Sequence, residues 1–305
     1  MQNPTNNSVM VTGAEGFVGR AVTRLLAGSG RRVIALDSLS SRSASNLDST
    51  TKVVCDVRNQ VQLQAVFERH SVGAIIHLAS ILPTAAERNP GLATQVNILG
   101  SLNLLEVANR SGIRRFIFGS SLSIYGTHSE DHVVSEADPA APEDVYGAAK
   151  LYVERLGAAF ASLHQMEFVS LRIGRVVGSG AHSTTSAWRS EIFELLQTDH
   201  PAEIFIPYVG AEKILLVHVE DVARALVTLV EAPRSAQNIY NAPCESWTVI
   251  DLKTFLNSLN PKIHIRLGDA QASGNPRVLD WTRFRDEFRF NGLPIEQRLK
   301  AALGG

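Results

Sequence analysis

The chain has 305 residues, 45% of them hydrophobic, with 29 basic and 30 acidic side chains and a formal net charge of −1. That apolar share is enough for a large core, built as one α/β domain or as a domain with a smaller lobe, and it excludes a disordered chain. Charges of both signs are dispersed, without the basic stripe that neutralises nucleic-acid phosphates, so nucleic acid is not an expected partner.

Met1–Ser8 is polar and lacks the cationic and apolar regions of a signal peptide, and no uninterrupted apolar stretch approaches about 20 residues. Neither export by that route nor a membrane span is expected. Two cysteines, Cys55 and Cys244, support neither a disulfide framework nor a zinc site and point to a reducing cytoplasm.

In chain order, Ser8–Thr12 reads as a buried strand. It runs into Thr12-Gly13-Ala14-Glu15-Gly16-Phe17-Val18-Gly19, with a helix over Gly16–Gly28. Three glycines at a strand-to-helix turn let the backbone approach a pyrophosphate at the helix N-terminus. The next strand, Val33–Asp37, ends in a carboxylate roughly 20 residues past the glycines, where an acid grips the adenosine ribose hydroxyls. Its charge repels a 2′-phosphate and favours NAD over NADP, although Arg42 in the following loop is a cation within reach of such a phosphate. Ser38–Thr51 is Ser- and Asn-rich and reads as a surface loop over the adenosine side.

Strands follow at Lys52–Val57, Ala74–Ala79, Phe116–Ser120 and Phe168–Ile173, and helices at Val61–His70, Thr94–Ser111 and Val145–Leu163. The alternation predicts a parallel sheet covered on both faces. Tyr146-Gly147-Ala148-Ala149-Lys150 places a phenol and an ammonium one helical turn apart, on one face. After Gly178 the alternation becomes irregular. Gly178–Ser186 has a loop composition and leads into a helix over Trp188–Gln197, the start of a substrate lobe. His218 lies in an apolar strand and reads as a packed core histidine, and Asp221 as the cap of the next helix. His70, His77, His128, His132 and His164 show no metal-ligand spacing, and no metal is expected.

Taken together, these segments resemble the extended short-chain dehydrogenase/reductase family, specifically its NAD-dependent epimerase/dehydratase group, over nearly the whole chain. The glycine turn is similar to that family's TGxxGxxG. Cys55-Asp56-Val57 resembles its adenine-contacting strand end, His77-Leu78-Ala79-Ser80 its fourth-strand motif, and Asn97 its helix asparagine. Gly119–Gly126 resembles the fifth-strand segment that supplies a catalytic hydroxyl, matched to Ser121, and Tyr146 with Lys150 forms the YxxxK pair. Val217-His218-Val219-Glu220-Asp221-Val222-Ala223 resembles the late strand-to-helix signature.

The resemblance implies an α/β Rossmann-type doubly wound parallel sheet with a smaller C-terminal substrate lobe. Residues 1–174 bind NAD, with a late strand and helix from about 214–241 returning to that domain; 175–213 and 242–305 form the lobe. The implied NAD contacts are Gly13, Gly16, Phe17, Val18, Gly19, Asp37, Ser38, Asp56, Val57, Leu78, Ala79, Ser80, Asn97, Tyr146, Lys150 and Ile173. Ser121, Tyr146 and Lys150 form the catalytic set, with Ser123 beside the substrate. A homodimer through the helices Thr94–Ser111 and Val145–Leu163 is implied as well.

Hydride exchange at a secondary carbon needs a proton to reach or leave the oxygen, and Tyr146 is the group for it. A free phenol, at about 10, is a poor base near neutrality, so Lys150 and a cationic nicotinamide are expected to lower it. Two departures bear on the substrate. Sugar-nucleotide members carry an asparagine where Arg175 stands and an arginine where Ile214 stands, and an apolar side chain cannot clamp a diphosphate. Lys213 or Arg277 remains a possible replacement. Arg175, Ser186, Trp188 and Arg189 suggest a small pocket with a cation for a carboxylate.

Three readings stay open. They are an NAD-dependent dehydrogenase of a sugar acid, aldose or hydroxy amino acid; a nucleotide-sugar epimerase or dehydratase that keeps its NAD; and a catalytically silent NAD-binding regulator.

Overall fold

A computed structural model describes residues 8–39, 49–181 and 186–304. Arg42 and most of the Ser38–Thr51 loop lie outside the described residues, as do 182–185 of the second loop. From the amino end, β1 (Ser8–Thr12) turns into α1 (Phe17–Gly28), followed by β2 (Arg32–Asp37), β3 (Thr50–Val54), α2 (Gln60–Arg69) and β4 (Ala74–His77). Short helices α3 (Pro83–Arg88) and α4 (Pro90–Ala93) run into a π-helical segment, Thr94–Leu99, which α5 (Gly100–Arg110) continues before β5 (Arg115–Ser121). A 3-10 turn, Leu122–Ile124, and β6 (Val133–Val134) precede α6 (Val145–Leu163), β7 (Glu167–Ile173), β8 (Arg175–Val177) and α7 (Trp188–Glu194). Then come β9 (Ala202–Tyr208), β10 (Lys213–His218), α8 (Val219–Glu231), β11 (Ile239–Asn241), β12 (Glu245–Thr248) and α9 (Val249–Leu259). The remainder is β13 (Ile263–Ala270), β14 (Val278–Leu279), α10 (Thr282–Phe288) and α11 (Ile295–Ala302).

A seven-stranded parallel sheet has the order β11-β7-β5-β4-β1-β2-β3. Its central strands are buried on both faces. One apolar cluster joins Val9 and Val11 to Val22 and Leu26 of α1 and Val222 and Leu226 of α8. The opposite face packs Met10, Ile34, Ile75, Phe116 and Phe168 against α2, α5 and α6. The order reverses between β1 and β4, so their carboxyl ends diverge and leave a crevice, where ligands of open α/β sheets bind.

The expected late strand belongs elsewhere. β10 pairs with β8 and β12 in a three-stranded sheet, while α8 and β11 return to the large one. A third cluster, built on Trp188, Ile192, Phe193, Ile204, Ile214 and Leu252, is the core beneath β9, β13, α7 and α9.

Several boundaries differ from the sequence reading for local reasons. β4 stops at His77; beyond it the Leu78 amide still reaches the Thr12 carbonyl at 3.1 Å, but the Ala79 amide turns to the Thr12 hydroxyl at 3.3 Å. β3 begins at Thr50 and ends at Val54, short of the expected Val57, and α7 ends at Glu194 rather than Gln197. His218, not Asp221, caps α8: its Nδ1 accepts from the Glu220 amide at 3.3 Å, while Asp221 pairs with Arg224 and Arg298 at 2.9 Å each.

One glycine sets how closely α6 lies on the sheet. A Cβ at Gly157 would stand 2.2 Å from the Phe168 ring. Gly157→Ala is expected to lower unfolding stability by about 1–3 kcal/mol, the scale of overpacking a filled core. Denaturant unfolding of the two proteins measures it, and an unchanged midpoint contradicts the packing argument.

Candidate functional site

The crevice between β1 and β4 opens into a pocket of about 890 Å³ that continues to β8, α7 and β9. At one end lies the glycine turn. Gly13 has φ +67°, and a Cβ there would meet the Ala79 amide nitrogen at 2.7 Å; one at Gly19 would meet the Gly13 carbonyl oxygen at 2.0 Å. These two glycines are required by the fold itself. Gly16 is the N-cap of α1, with no side-chain cap and no acid in the first turn. The first amides of α1 are therefore left to a ligand at the pocket wall, as a pyrophosphate requires. Phe17, Val18 and Gly19 line the same wall.

Asp37 stands at the end of β2, where its carboxylate accepts from the amides of Glu15 and Leu39, both at 3.0 Å. Ser38, Asp56 and Val57 line the pocket beside it. Arg58 bonds the Asp56 carboxylate at 2.6 Å and holds it below the usual carboxylate range.

A buried hydrogen-bond chain fixes the floor. Ser101 Oγ donates to the Asn97 carbonyl at 2.6 Å and so accepts from His77 Nε2 at 2.9 Å. His77 Nδ1 then accepts from Thr12 Oγ1 at 2.6 Å. Burial, reinforced by the Lys150 charge, pushes this imidazole down to about 3, so it is neutral at physiological pH and serves as a structural link. The Asn97 side chain lies within the π-helical segment and does not line the pocket. It brackets Ile81 instead, accepting from the amide at 2.7 Å and donating to the carbonyl at 3.0 Å, and accepts from Ser80 Oγ at 3.2 Å. Asn97 thus shapes the wall made by Leu78, Ala79 and Ser80 from behind.

Tyr146, Lys150 and Glu154 lie on one buried stripe of α6, at 8%, 4% and 4% exposure. The helix starts at Asp144, whose carboxylate caps the Gly147 amide at 2.5 Å. It docks on the 3-10 turn through Gly147, where a Cβ would stand 2.5 Å from the Ser123 carbonyl oxygen. That close approach brings Tyr146 to Ser121, which donates to Ser123 Oγ at 3.1 Å. Lys150 Nζ donates to the Gly119 carbonyl at 2.8 Å and lies 5.4 Å from the centre of the Tyr146 ring. Burial pulls this ammonium down to about 7, against the Glu154 charge. Burial pushes the Tyr146 phenol up to about 12, and the Asp144 charge acts in the same direction, although hydrogen bonds with Ser121 and Ser80 draw it down. Desolvation outweighs the two hydroxyls because the ring is enclosed by protein.

The far end of the pocket is cationic. Arg175, Ser186 and Arg189 line it, whereas Trp188 is buried in the third cluster and faces Tyr208 edge-on rather than the pocket. Arg175 lies 5.6 Å from the Tyr208 ring centre. Arg189 Nε is shut off from solvent without a hydrogen-bond partner, and burial together with the Arg175 charge pushes this guanidinium down, against a hydrogen bond with the Tyr208 hydroxyl. Among the described residues no acid pairs with either. Other shielded arginines do have one: Arg172 with Glu154, Arg277 with Glu212, Arg298 with Asp221 and Arg115 with Glu167.

Ile214 is fully buried in the core. Lys213 faces Glu130 at 3.8 Å and Arg277 faces Glu212 at 3.2 Å, so the two candidate replacements for a phosphate clamp are already engaged. Ile173 lines the pocket, and Arg20, Arg58, Tyr208, Ser273 and Asn275 do so as well. Sequence reasoning missed these last five, since no motif or periodicity marks them.

The profile of the NAD dependent epimerase/dehydratase family matches residues 9–242. UDP-glucose 4-epimerase of Erwinia amylovora is 30% identical over 182 residues, 56% of this chain and 54% of that protein. L-Arabinose 1-dehydrogenase (NAD(P)(+)) of Haloferax volcanii is 31% identical over 54% of this chain and 66% of that protein. The chain thus spans about half the length of the first epimerases it matches. Among solved structures, the L-threonine dehydrogenase of Cupriavidus necator superposes with a TM-score of 0.87 at 22% identity, over 98% of this chain and 99% of that one. The UDP-glucose 4-epimerase of Thermotoga maritima, with UDP-glucose, gives 0.83 at 24%, over 97% of both.

The Asp37 geometry makes a direct prediction. Asp37→Ser is expected to weaken NAD binding by about 1–3 kcal/mol, the scale of a charge-assisted hydrogen bond, and to narrow the gap to NADP. Titration calorimetry with both dinucleotides reads this. A wild-type preference for NADP would assign the selectivity to another group.

Proposed function

The chain belongs to the NAD dependent epimerase/dehydratase family, and from that membership we propose that it is an NAD-dependent dehydrogenase of a small polar hydroxy compound carrying a carboxylate, such as a sugar acid or hydroxy amino acid. The observation that carries this reading is the pair of acid-free guanidiniums, Arg175 and Arg189, at the end of the pocket remote from Asp37. A cation kept from water needs an anion, and none among the described residues supplies it. A substrate carboxylate held there places its hydroxyl towards Ser121 and Tyr146.

When bound, NAD supplies the hydride acceptor and donor. Gly13, Gly16 and the first amides of α1 hold its pyrophosphate, Asp37 a ribose, Asp56 and Val57 the adenine side, and Ile173 and Ser80 the middle wall. In this division 1–174, with α8 and β11, carries the dinucleotide, and 175–213 with 242–305 the substrate. Ser121 donates to the substrate oxygen and fixes it near the phenol. Tyr146 Oη takes the hydroxyl proton as the alcohol is oxidised and returns it in the reverse direction. With its phenol starting at about 12 beside Lys150, Tyr146 needs added positive charge to act as a base, which an oxidised nicotinamide would supply when bound.

The epimerase reading rests on the names of several relatives. Against it stand the burial of Ile214 and the engagement of Lys213 and Arg277. A silent NAD-binding regulator has no need of the Ser121, Tyr146 and Lys150 arrangement that this chain keeps.

We further infer a homodimer through the helical stretch Thr94–Ser111 and α6, in support of which Leu99 is 49% exposed and Tyr152 55%. Two buried free cysteines support a reducing cytoplasm. No helix among the described residues is long and apolar enough to cross a membrane.

Thermal unfolding of the NAD-saturated protein separates the substrate classes. A hydroxy acid at 100 times its Kd adds about 2.7 kcal/mol, and Arg175→Ala or Arg189→Ala abolishes the added shift. Uridine diphosphate is expected to add little; a large shift with it in NAD-saturated protein contradicts the reading.

A further inference from the structure

We propose that Arg20 is a positioning residue that ties the glycine turn to α7, so that NAD binding orders the segment carrying Arg189. The proposal rests on the pocket reading above in placing NAD at the glycine turn and Arg189 at the substrate.

Arg20 projects from the first turns of α1 into the pocket and is half-buried. Its Nη1 donates to the Glu15 carbonyl at 2.6 Å and its Nη2 to the Gly180 carbonyl at 2.6 Å, so one guanidinium ties the glycine turn to a segment 160 residues beyond Arg20. Among the described residues it has no acid partner, unlike Arg172, Arg277, Arg298 and Arg115. A planar fork with fixed donor directions spans two carbonyls in a way a flexible ammonium does not.

The contacts continue on both sides. The amide of Glu15 donates to Asp37 at 3.0 Å, so the residue whose carbonyl holds Arg20 is also held by the proposed ribose acid. Across the pocket, the Gly180 amide donates to Glu194 of α7 at 2.7 Å and the Ala181 amide to Ser190 Oγ at 2.8 Å. Ser190 Oγ donates to the Gly178 carbonyl at 2.9 Å, and the Gly178 amide to the Arg189 carbonyl at 3.0 Å. Gly178 and Gly180, with φ of +134° and +94°, adopt conformations closed to most side chains. Glycines gain freedom when released, so this segment keeps its shape only through its ties. The Arg20 clasp is the tie that leads to the dinucleotide.

A ligand that fixes the glycine turn fixes Glu15, and through Arg20 it fixes residues 178–181 and the start of α7. Substrate binding then follows cofactor binding because Arg189 is set in place by it, and linkage makes the effect reciprocal.

Hydrogen exchange on the full chain, with and without NAD and with no substrate present, tests this. In the wild type NAD is expected to slow exchange at least about fivefold in peptides covering 178–181 and 188–194, a coupling of ordinary allosteric size. In Arg20→Met, NAD still protects the peptide over 13–19 but no longer the distant ones. Arg20→Lys, which puts one nitrogen on a shorter stem in place of two nitrogens each aimed at its own carbonyl, is expected to lose the distant protection as well and decides the matter if the Met variant fails to fold. Distant protection that is absent in the wild type, or that survives in either variant, overturns the proposal. Since no substrate enters the experiment, its failure is separate from that of the hydroxy-acid reading.

Discussion

The placement of the candidate chemistry depends on the buried ion pair between Glu154 and Arg172. Arg172, near the end of β7, contacts the Glu154 carboxylate through Nη2 at 2.7 Å and Nε at 3.1 Å, and Ser120 Oγ adds a bond to the same carboxylate at 2.6 Å. Both charged groups are almost wholly removed from water, so each is costly without the other. The pair fixes the rotation of α6 against β5 and β7. Lys150 and Tyr146, one and two turns earlier, are thereby set at the carboxyl end of the sheet. On its other side Arg172 lies over the Tyr125 ring at 4.7 Å, and Tyr125 bonds Asn241 of β11 at 2.8 Å, which links the reactive stripe to the edge of the sheet.

Charge divides the pocket along its length. Asp37 and Asp56 occupy the end where a diol and an adenine are to be gripped, and their positions at strand ends follow from the parallel topology. Arg175 and Arg189 occupy the other end, with Tyr208 between them and the bulk of the lobe. Between the two lie the Ser121 and Ser123 hydroxyls, the Tyr146 phenol and the Lys150 ammonium. A ligand matched to this profile offers hydroxyls at one end, an anion at the other and a reacting carbon between them.

The large sheet was legible in the sequence because its signals are local. The glycine turn, the β-branched strands and the Tyr146–Lys150 spacing each act within a few residues, and α6 spans Val145–Leu163 as the pattern implies. What escaped depends on contacts between distant segments. The π-helical stretch at Asn97 arises where that side chain reaches back to Ile81, and no 3.6-residue periodicity reveals it. Trp188 read as a pocket residue from its neighbours, yet its ring completes the lobe core with Ile192 and Phe193. Tyr208, Ser273 and Asn275 reach the pocket only through lobe geometry. The rise of the Tyr146 phenol is likewise a consequence of burial, which a one-turn spacing to a lysine does not show.

The central claim is net hydride transfer to NAD with Tyr146 as the proton acceptor, and NADH formation measures it most directly. Purified protein is mixed with NAD and, in turn, hydroxy acids, aldoses and nucleotide sugars, alongside Tyr146→Phe. The account predicts that NADH accumulates with a carboxylate-bearing hydroxy compound, about 10² to 10⁴ times more slowly in the Phe variant. A nucleotide sugar that is isomerised with no net NADH, or a Phe variant as fast as the wild type, would contradict it.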